Sequence, residues 1–172
     1  MPVSTVQSVD DYLASSYQPD REYIEGAVVD RNVGERDHSE LQTELATYLN
    51  VCRRQFGIRV FVEQRIQIAP TRYRIPDICV VLGSRPTELV FTSPPLICMA
   101  VLSKDDRVED IRRRINDYLG FGVGYVWVID PRSRRAWAHT AAGSREVEDG
   151  VLRTKIEKIA IPLPAIFASL EE

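Results

Sequence analysis

The 172-residue chain is 44% hydrophobic and 27% charged, with Gly and Pro scattered, so it is long enough to bury roughly two-thirds of its unfolded surface and reads as one folded domain over residues 1–172. Its net charge of −3 gives no global field to draw in nucleic acid, so any such site must be a local basic patch on an acidic body. No apolar segment approaches the length of a membrane span, and the start MPVSTVQSVDDYL has no basic region followed by an apolar run, so neither a membrane segment nor a signal peptide is expected. Cys52, Cys79 and Cys98 are odd in number and show no metal-ligand spacing. They read as reduced thiols in a cytoplasmic protein.

In chain order, Ser8-Val9-Asp10-Asp11 has the Ser-x-x-acid form of a helix start and opens a short helix from Val9 to about Ser15. Tyr23 to Val29 reads as a hairpin turning at Glu25-Gly26. The longest helical signal runs from Asp37 to Phe56, with Asp37 and Glu40 at its start, Leu41, Leu45, Tyr48, Leu49 and Cys52 on one face, and Gly57 just past its end. Strand-like segments follow at Ile58–Val62 and Arg65–Ala69, and Pro70-Thr71-Arg72 turns the chain into Arg74–Val81.

Arg74–Val81 carries the anomaly. Asp77 sits in an apolar run, where an unpaired carboxylate costs several kcal/mol, roughly. Pro76 cannot donate to a ladder, so the chain is expected to enter the sheet there, at a rim where a site could lie. A second apolar run, Pro95 to Ser103, follows a polar loop. Ser103-Lys104-Asp105-Asp106 then predicts a helix from about Asp105 to Phe121, with Val108, Ile111, Ile115, Tyr118 and Leu119 as its apolar face. Asp105, Asp106, Glu109 and Asp110 read as first-turn carboxylates favoured by the helix dipole. Tyr125–Ile129 reads as a buried strand, Ala136–Thr140, Glu146–Val147 and Val151–Ile156 as edge hairpins around Asp149-Gly150, and the chain closes in a short helix near Leu170. The order predicts a mixed α/β single domain, one sheet flanked by helices.

Familiar catalytic motifs are missing: there is no GxGxxG, no Walker loop, no HExxH and no GxSxG, and His38 and His139 are the only histidines. Asp77 is open to two readings, as a buried aspartate bonded to backbone N–H groups or to Arg74 or Arg114, and as part of a site. Arg112-Arg113-Arg114 is open to two as well, a solvated helix face or a phosphate-contacting patch. Trp127 and Trp137 sit inside strand patterns and read as core or interface anchors. Exposed edge hairpins and the Tyr125–Ile129 strand point to a homodimer.

Several blocks in order and spacing resemble the Uma family of restriction-endonuclease-like proteins, within the PD-(D/E)xK nuclease superfamily. They are Arg21-Glu22-Tyr23-Ile24-Glu25-Gly26, His38-Ser39, Arg74-Ile75-Pro76-Asp77, Val101-Leu102-Ser103, Ile115 to Val123, and Tyr125 to Pro131. The resemblance implies a restriction-endonuclease-like central mixed sheet and a metal-dependent DNA endonuclease, in which an Asp and a Glu on neighbouring strands hold Mg (or Mn). It assigns Asp77 and Glu22 as metal ligands and Arg114 and His38 as further catalytic positions, while the patch reading of the basic run makes Arg112 and Arg113 nucleic-acid contacts. The family's strand glutamate falls on Ala100, its motif lysine on Leu102, and the helix position that often holds Lys on Arg114, which keeps charge but cannot transfer a proton. Ala27 also stands where the family often has Glu. The resemblance therefore implies an endonuclease with a degraded active site, weak ion binding and weak or absent cleavage. The alternative is a non-catalytic module that binds DNA or a protein partner through the same cleft, with no small-molecule cofactor.

Overall fold

The computed structural model describes residues 6–32 and 34–171, so residues 1–5 of the N-terminal stretch read above lie outside it. Ser8 caps α1 (Val9–Ala14) as its spacing predicts, its side chain accepting from the Asp11 N–H. β1 (Glu22–Ile24) and β2 (Ala27–Val29) form the hairpin, with Glu25 and Gly26 both at positive φ (47° and 91°), the geometry of a tight two-residue turn. α2 (Arg36–Val51) presents Leu41, Leu45 and Leu49 at helical spacing, all fully buried. The expected helix to Phe56 is interrupted at Cys52, whose ψ of 2° turns the axis before α3 (Arg53–Phe56), and Gly57 closes it at φ 66°.

Six strands make the main sheet: β3 (Ile58–Val62), β6 (Ile78–Leu82), β7 (Ile97–Val101), β8 (Tyr125–Asp130), β9 (Arg135–Thr140) and β10 (Gly143–Glu146), in the order β10-β9-β8-β7-β6-β3. Only β7 and β8 are parallel, joined by the crossover helix α4 (Val108–Phe121). A second sheet, β2-β1-β5-β4, adds β4 (Ile66–Ala69) and β5 (Arg72–Arg74) to the hairpin. β11 (Val151–Arg153) pairs with β12 (Ala160–Pro162), and α5 (Leu163–Ser169) follows.

Period-two alternation sorts the main sheet into two faces. Ile78, Val80, Ile97, Met99, Trp127 and Ile129 pack under α2 and α5, while Cys79, Cys98 and Val126 pack against Tyr118 of α4, Ile66 and Phe91. Burying each such aliphatic side chain contributes about 1.5–3 kcal/mol, which makes these two layers the main adhesive of the domain. Trp127 is in the core, fully buried. A third cluster, Tyr12, Tyr23 and Tyr73, holds α1 to the small sheet.

Three expectations change. The single strand through Asp77 is two strands, because β5 ends at Arg74 in the small sheet and β6 begins at Ile78 in the large one, with Pro76, which has no N–H, at the crossing. The Asp149-Gly150 turn does not join a hairpin: β10 pairs with β9 and β11 with β12, so the strands flanking it go to different partners. Tyr125–Ile129 is a central strand between β7 and β9, so it offers no edge to a second copy; the open edges of the main sheet are β10 and β3.

Candidate active-site cleft

Asp77 lies where β6 meets the rim. Its N–H donates to Met99 O at 3.1 Å, just past the last β6–β7 pair, Ile78 opposite Met99, and Ala100 is the next residue along β7. Asp77 thus bonds the two β7 residues that flank Ala100, Met99 through its N–H and Val101 through its carboxylate, and Ala100 between them brings a methyl and no acid. The carboxylate is fully engaged. Oδ2 accepts the Val101 N–H at 2.8 Å, and Oδ1 accepts Arg31 Nη2 at 3.1 Å and faces His38 Nε2 at 3.4 Å. Neither Arg74 nor Arg114, the partners weighed from sequence, bonds to it. Burial disfavours the charged form of His38, but the hydrogen bond and charge of Asp77, with Asp106, outweigh it and raise the imidazole pKa.

Glu22, on the first position of β1, is fully buried. Its Oε1 accepts the Ile75 N–H at 2.9 Å and its Oε2 accepts Arg74 Nη1 at 2.9 Å, with Arg114 Nη2 at 3.7 Å. Arg74 continues to Asp117 on α4, with Nε to Oδ2 at 2.8 Å, and Arg72 Nη1 reaches the other oxygen at 2.7 Å. Burial opposes the charge of Arg114, yet Glu22, Asp106 and Asp77 hold its pKa above the ordinary guanidinium range. Arg114 Nε is buried without a hydrogen-bond partner.

The loop between β7 and α4 departs from the sequence reading. Ser103 N–H donates to Asp106 Oδ2 at 2.7 Å and Asp106 N–H to Ser103 O at 3.3 Å, which closes a turn ahead of the helix. Helix α4 starts at Val108, so Glu109 and Asp110 occupy its first turn while Asp105 and Asp106 precede it. Asp106 is instead bonded by Asn32 at 2.8 Å.

These segments wall a cleft of about 680 Å³ between the small sheet and the start of α4. Five carboxylates line it (Glu22, Asp30, Asp105, Asp106, Asp110) against four arginines (Arg74, Arg107, Arg113, Arg114), which leaves one net negative charge. Asp77 is not on its wall. Of the expected site residues, Glu22 and Arg114 line this cleft, whereas Asp77 and His38 pair with each other off its wall. Arg113 is exposed, paired to Glu109 at 2.7 Å, and borders the cleft, whereas Arg112 turns toward an apolar groove on the other side of α4. Arg31 and Asp117 were not singled out from sequence. Arg31 is a lone arginine after a hairpin with no pattern to mark it, while Asp117 sits inside one of the blocks that carried the resemblance.

A family model described as Uma2, putative restriction endonuclease, matches residues 9–161. The chain belongs to this family. The Uma2 fold here is similar to the crystal structure of a protein from Anabaena variabilis described as a putative nuclease belonging to DUF820. That chain is 22% identical, the match covers 94% of this chain and 97% of that one, and the TM-score is 0.82. No curated protein matches the chain. The restriction-endonuclease-like mixed sheet expected from the sequence is the fold observed, and a divalent ion is usual in such families. Among the described residues no helix is long and apolar enough to cross a membrane, and no three His, Cys, Asp or Glu side chains are grouped to hold a metal ion.

Proposed function

We propose that this Uma2 protein is a nuclease-fold module with impaired metal-dependent DNA endonuclease chemistry, engaging DNA at the cleft through Arg113 and Arg114. The observation that carries the reading is Ala100 standing on β7 between Met99 and Val101, the two residues Asp77 bonds, with Asp77 and Glu22 each paired to an arginine. Magnesium wants six oxygens in near-octahedral order, usually from one or two carboxylates, phosphate and waters. The donor set does not fit it: Asp77 has both oxygens bonded within the protein, Glu22 likewise, and Ala100 offers none. Mg or Mn binding is accordingly weak in this reading.

The second reading is a non-catalytic module that uses the same cleft for DNA or a protein partner. The net negative cleft favours it over a tight DNA grip. Self-association into a homodimer belongs to either reading. So does a reducing, cytoplasmic setting, which the three free cysteines suit.

Two measurements test the proposal. Purified protein should cleave plasmid DNA little with magnesium or manganese; robust cleavage that disappears in Asp77→Ala would overturn the impairment. Ala100→Glu should tighten manganese binding in calorimetry, and an unchanged affinity would mean that residue 100 does not face a vacated ligand position.

A further inference from the structure

Helix α4 is more apolar than its packing requires. Of its stripe Val108, Ile111, Ile115 and Tyr118, only Tyr118 is buried, and Val108 is 77% exposed. Beside that stripe runs a groove of about 440 Å³, lined among others by Leu102, Ile115, Val128 and Trp137, between α4 and strands β8 to β10. Asp106, Arg112, Arg132 and His139 share its walls, so the groove offers apolar contact bordered by charge. Its edge adjoins β10, an open edge of the main sheet, since Ser144 also lines the groove.

The charges on the same face decide what fits it. Glu109 and Arg112 both stand on the exposed outer side of α4, together with Val108 and Asn116. Glu109 is bonded by Arg113 of its own chain, and Arg112 makes no ion pair among the described residues. One patch thus carries an apolar projection, an apolar groove, an acid and a base. A partner of another kind would need only the complement of each, whereas a copy of this chain related by a two-fold axis already has it.

We infer that this face is where a second copy of the chain docks, with α4 crossing its mate antiparallel, so that Val108 of each copy enters the groove of the other and Glu109 of each meets Arg112 of the other. In an antiparallel crossing, positions 109 and 112 face 112 and 109 of the mate, and the pair forms twice. The inference deepens the self-association named above, and it moves that contact from the strand edges to a helix face. Asp106 lines both the groove and the cleft, so the two clefts come to lie on either side of the axis. Arg112 then serves the interface, and the nucleic-acid contact stays with Arg113 and Arg114.

Sedimentation of the full chain without DNA tests this apart from DNA binding, because the readout is mass alone. Wild type should sediment at twice the chain mass. Arg112→Glu places two acids against two acids, and Glu109→Arg two bases against two bases, so each variant alone should fall to single-chain mass. Both positions are exposed, and far-ultraviolet circular dichroism should show native helix content in each. Mixed one to one, the two variants restore opposite charges at both contacts, and the doubled mass should return. Wild type at single-chain mass at every concentration overturns the inference. So does a dimer that survives both substitutions, or a mixture that stays at single-chain mass.

Discussion

Three donors converge on the Asp77 carboxylate, and the two that carry or can carry charge, Arg31 and His38, come from a loop and a helix start 39 to 46 residues upstream, the separation being 46 for Arg31. An ion pair buried to this degree offsets its own desolvation only when the remaining lone pairs are bonded, and here the Val101 N–H completes the set. His38 makes the arrangement sensitive to pH. Its folded pKa lies above the unfolded value of about 6.5, so the stability it contributes is fully present below that value and is lost as pH rises through the raised one. The melting-temperature advantage of wild type over His38→Gln should therefore be largest near about pH 6 and shrink toward about pH 9. An advantage that stays constant would mean that His38 is neutral at Asp77. The sequence shows that Asp77 needs partners, because a carboxylate among Ile, Cys and Val has no other way to stay buried. It does not show which, since nothing local distinguishes Arg31 from Arg74.

At the scale of elements, the small sheet is fastened to α4 by Arg72 and Arg74 of β5, each bonding its own oxygen of the Asp117 carboxylate. Removing the acid leaves Arg74 buried beside Glu22 alone, and breaking a buried pair from one side costs about 3–5 kcal/mol. Asp117→Ala should lower stability by about that much in denaturant unfolding, with part of the loss offset by solvent at the more exposed Arg72; a loss under about 1 kcal/mol would show the clamp to be dispensable. Most elements were legible because their apolar residues keep one period: Leu41, Leu45 and Leu49 on α2, the continuous run of β8, and the Glu25-Gly26 turn. The failures fall where a side chain competes with a pattern. Asp106 closes its own turn and delays α4 by a few residues, and Pro76 divides one apolar run between two sheets. The Asp149-Gly150 turn has hairpin chemistry, yet its flanking strands find better partners in β9 and β12.

For the whole molecule, the excess of acid sets how it can meet DNA. With a net charge of −3 and a cleft that is itself slightly negative, the proposed DNA contact rests on the phosphates within reach of Arg113 and Arg114 alone. Two such contacts give a slope of about −2 in log affinity against log salt, and Arg113→Ala should reduce that slope by about 1. Fluorescence anisotropy with a labelled duplex at several low salt concentrations measures both, and a slope unchanged by the substitution would remove Arg113 from the contact. The resemblance that assigns the frame of the site in sequence also assigns the family's strand glutamate to Ala100. That both remaining carboxylates are occupied by arginines became visible only with the chain folded, since the partners of Glu22 lie 52 residues and more away.

Cys79 and Cys98 sit opposite each other on β6 and β7, two residues along from Asp77 and Ala100 respectively, and neither has any exposed surface. Burial pushes the Cys79 thiol up to about 12 and the Cys98 thiol well above its usual value, so neither is a nucleophile while the strands are closed. Cys52, at the end of α2, is only half-buried. The molecule therefore carries its own clock: an alkylating reagent takes Cys52 at once, and the two inner thiols only at the rate at which the central strands part.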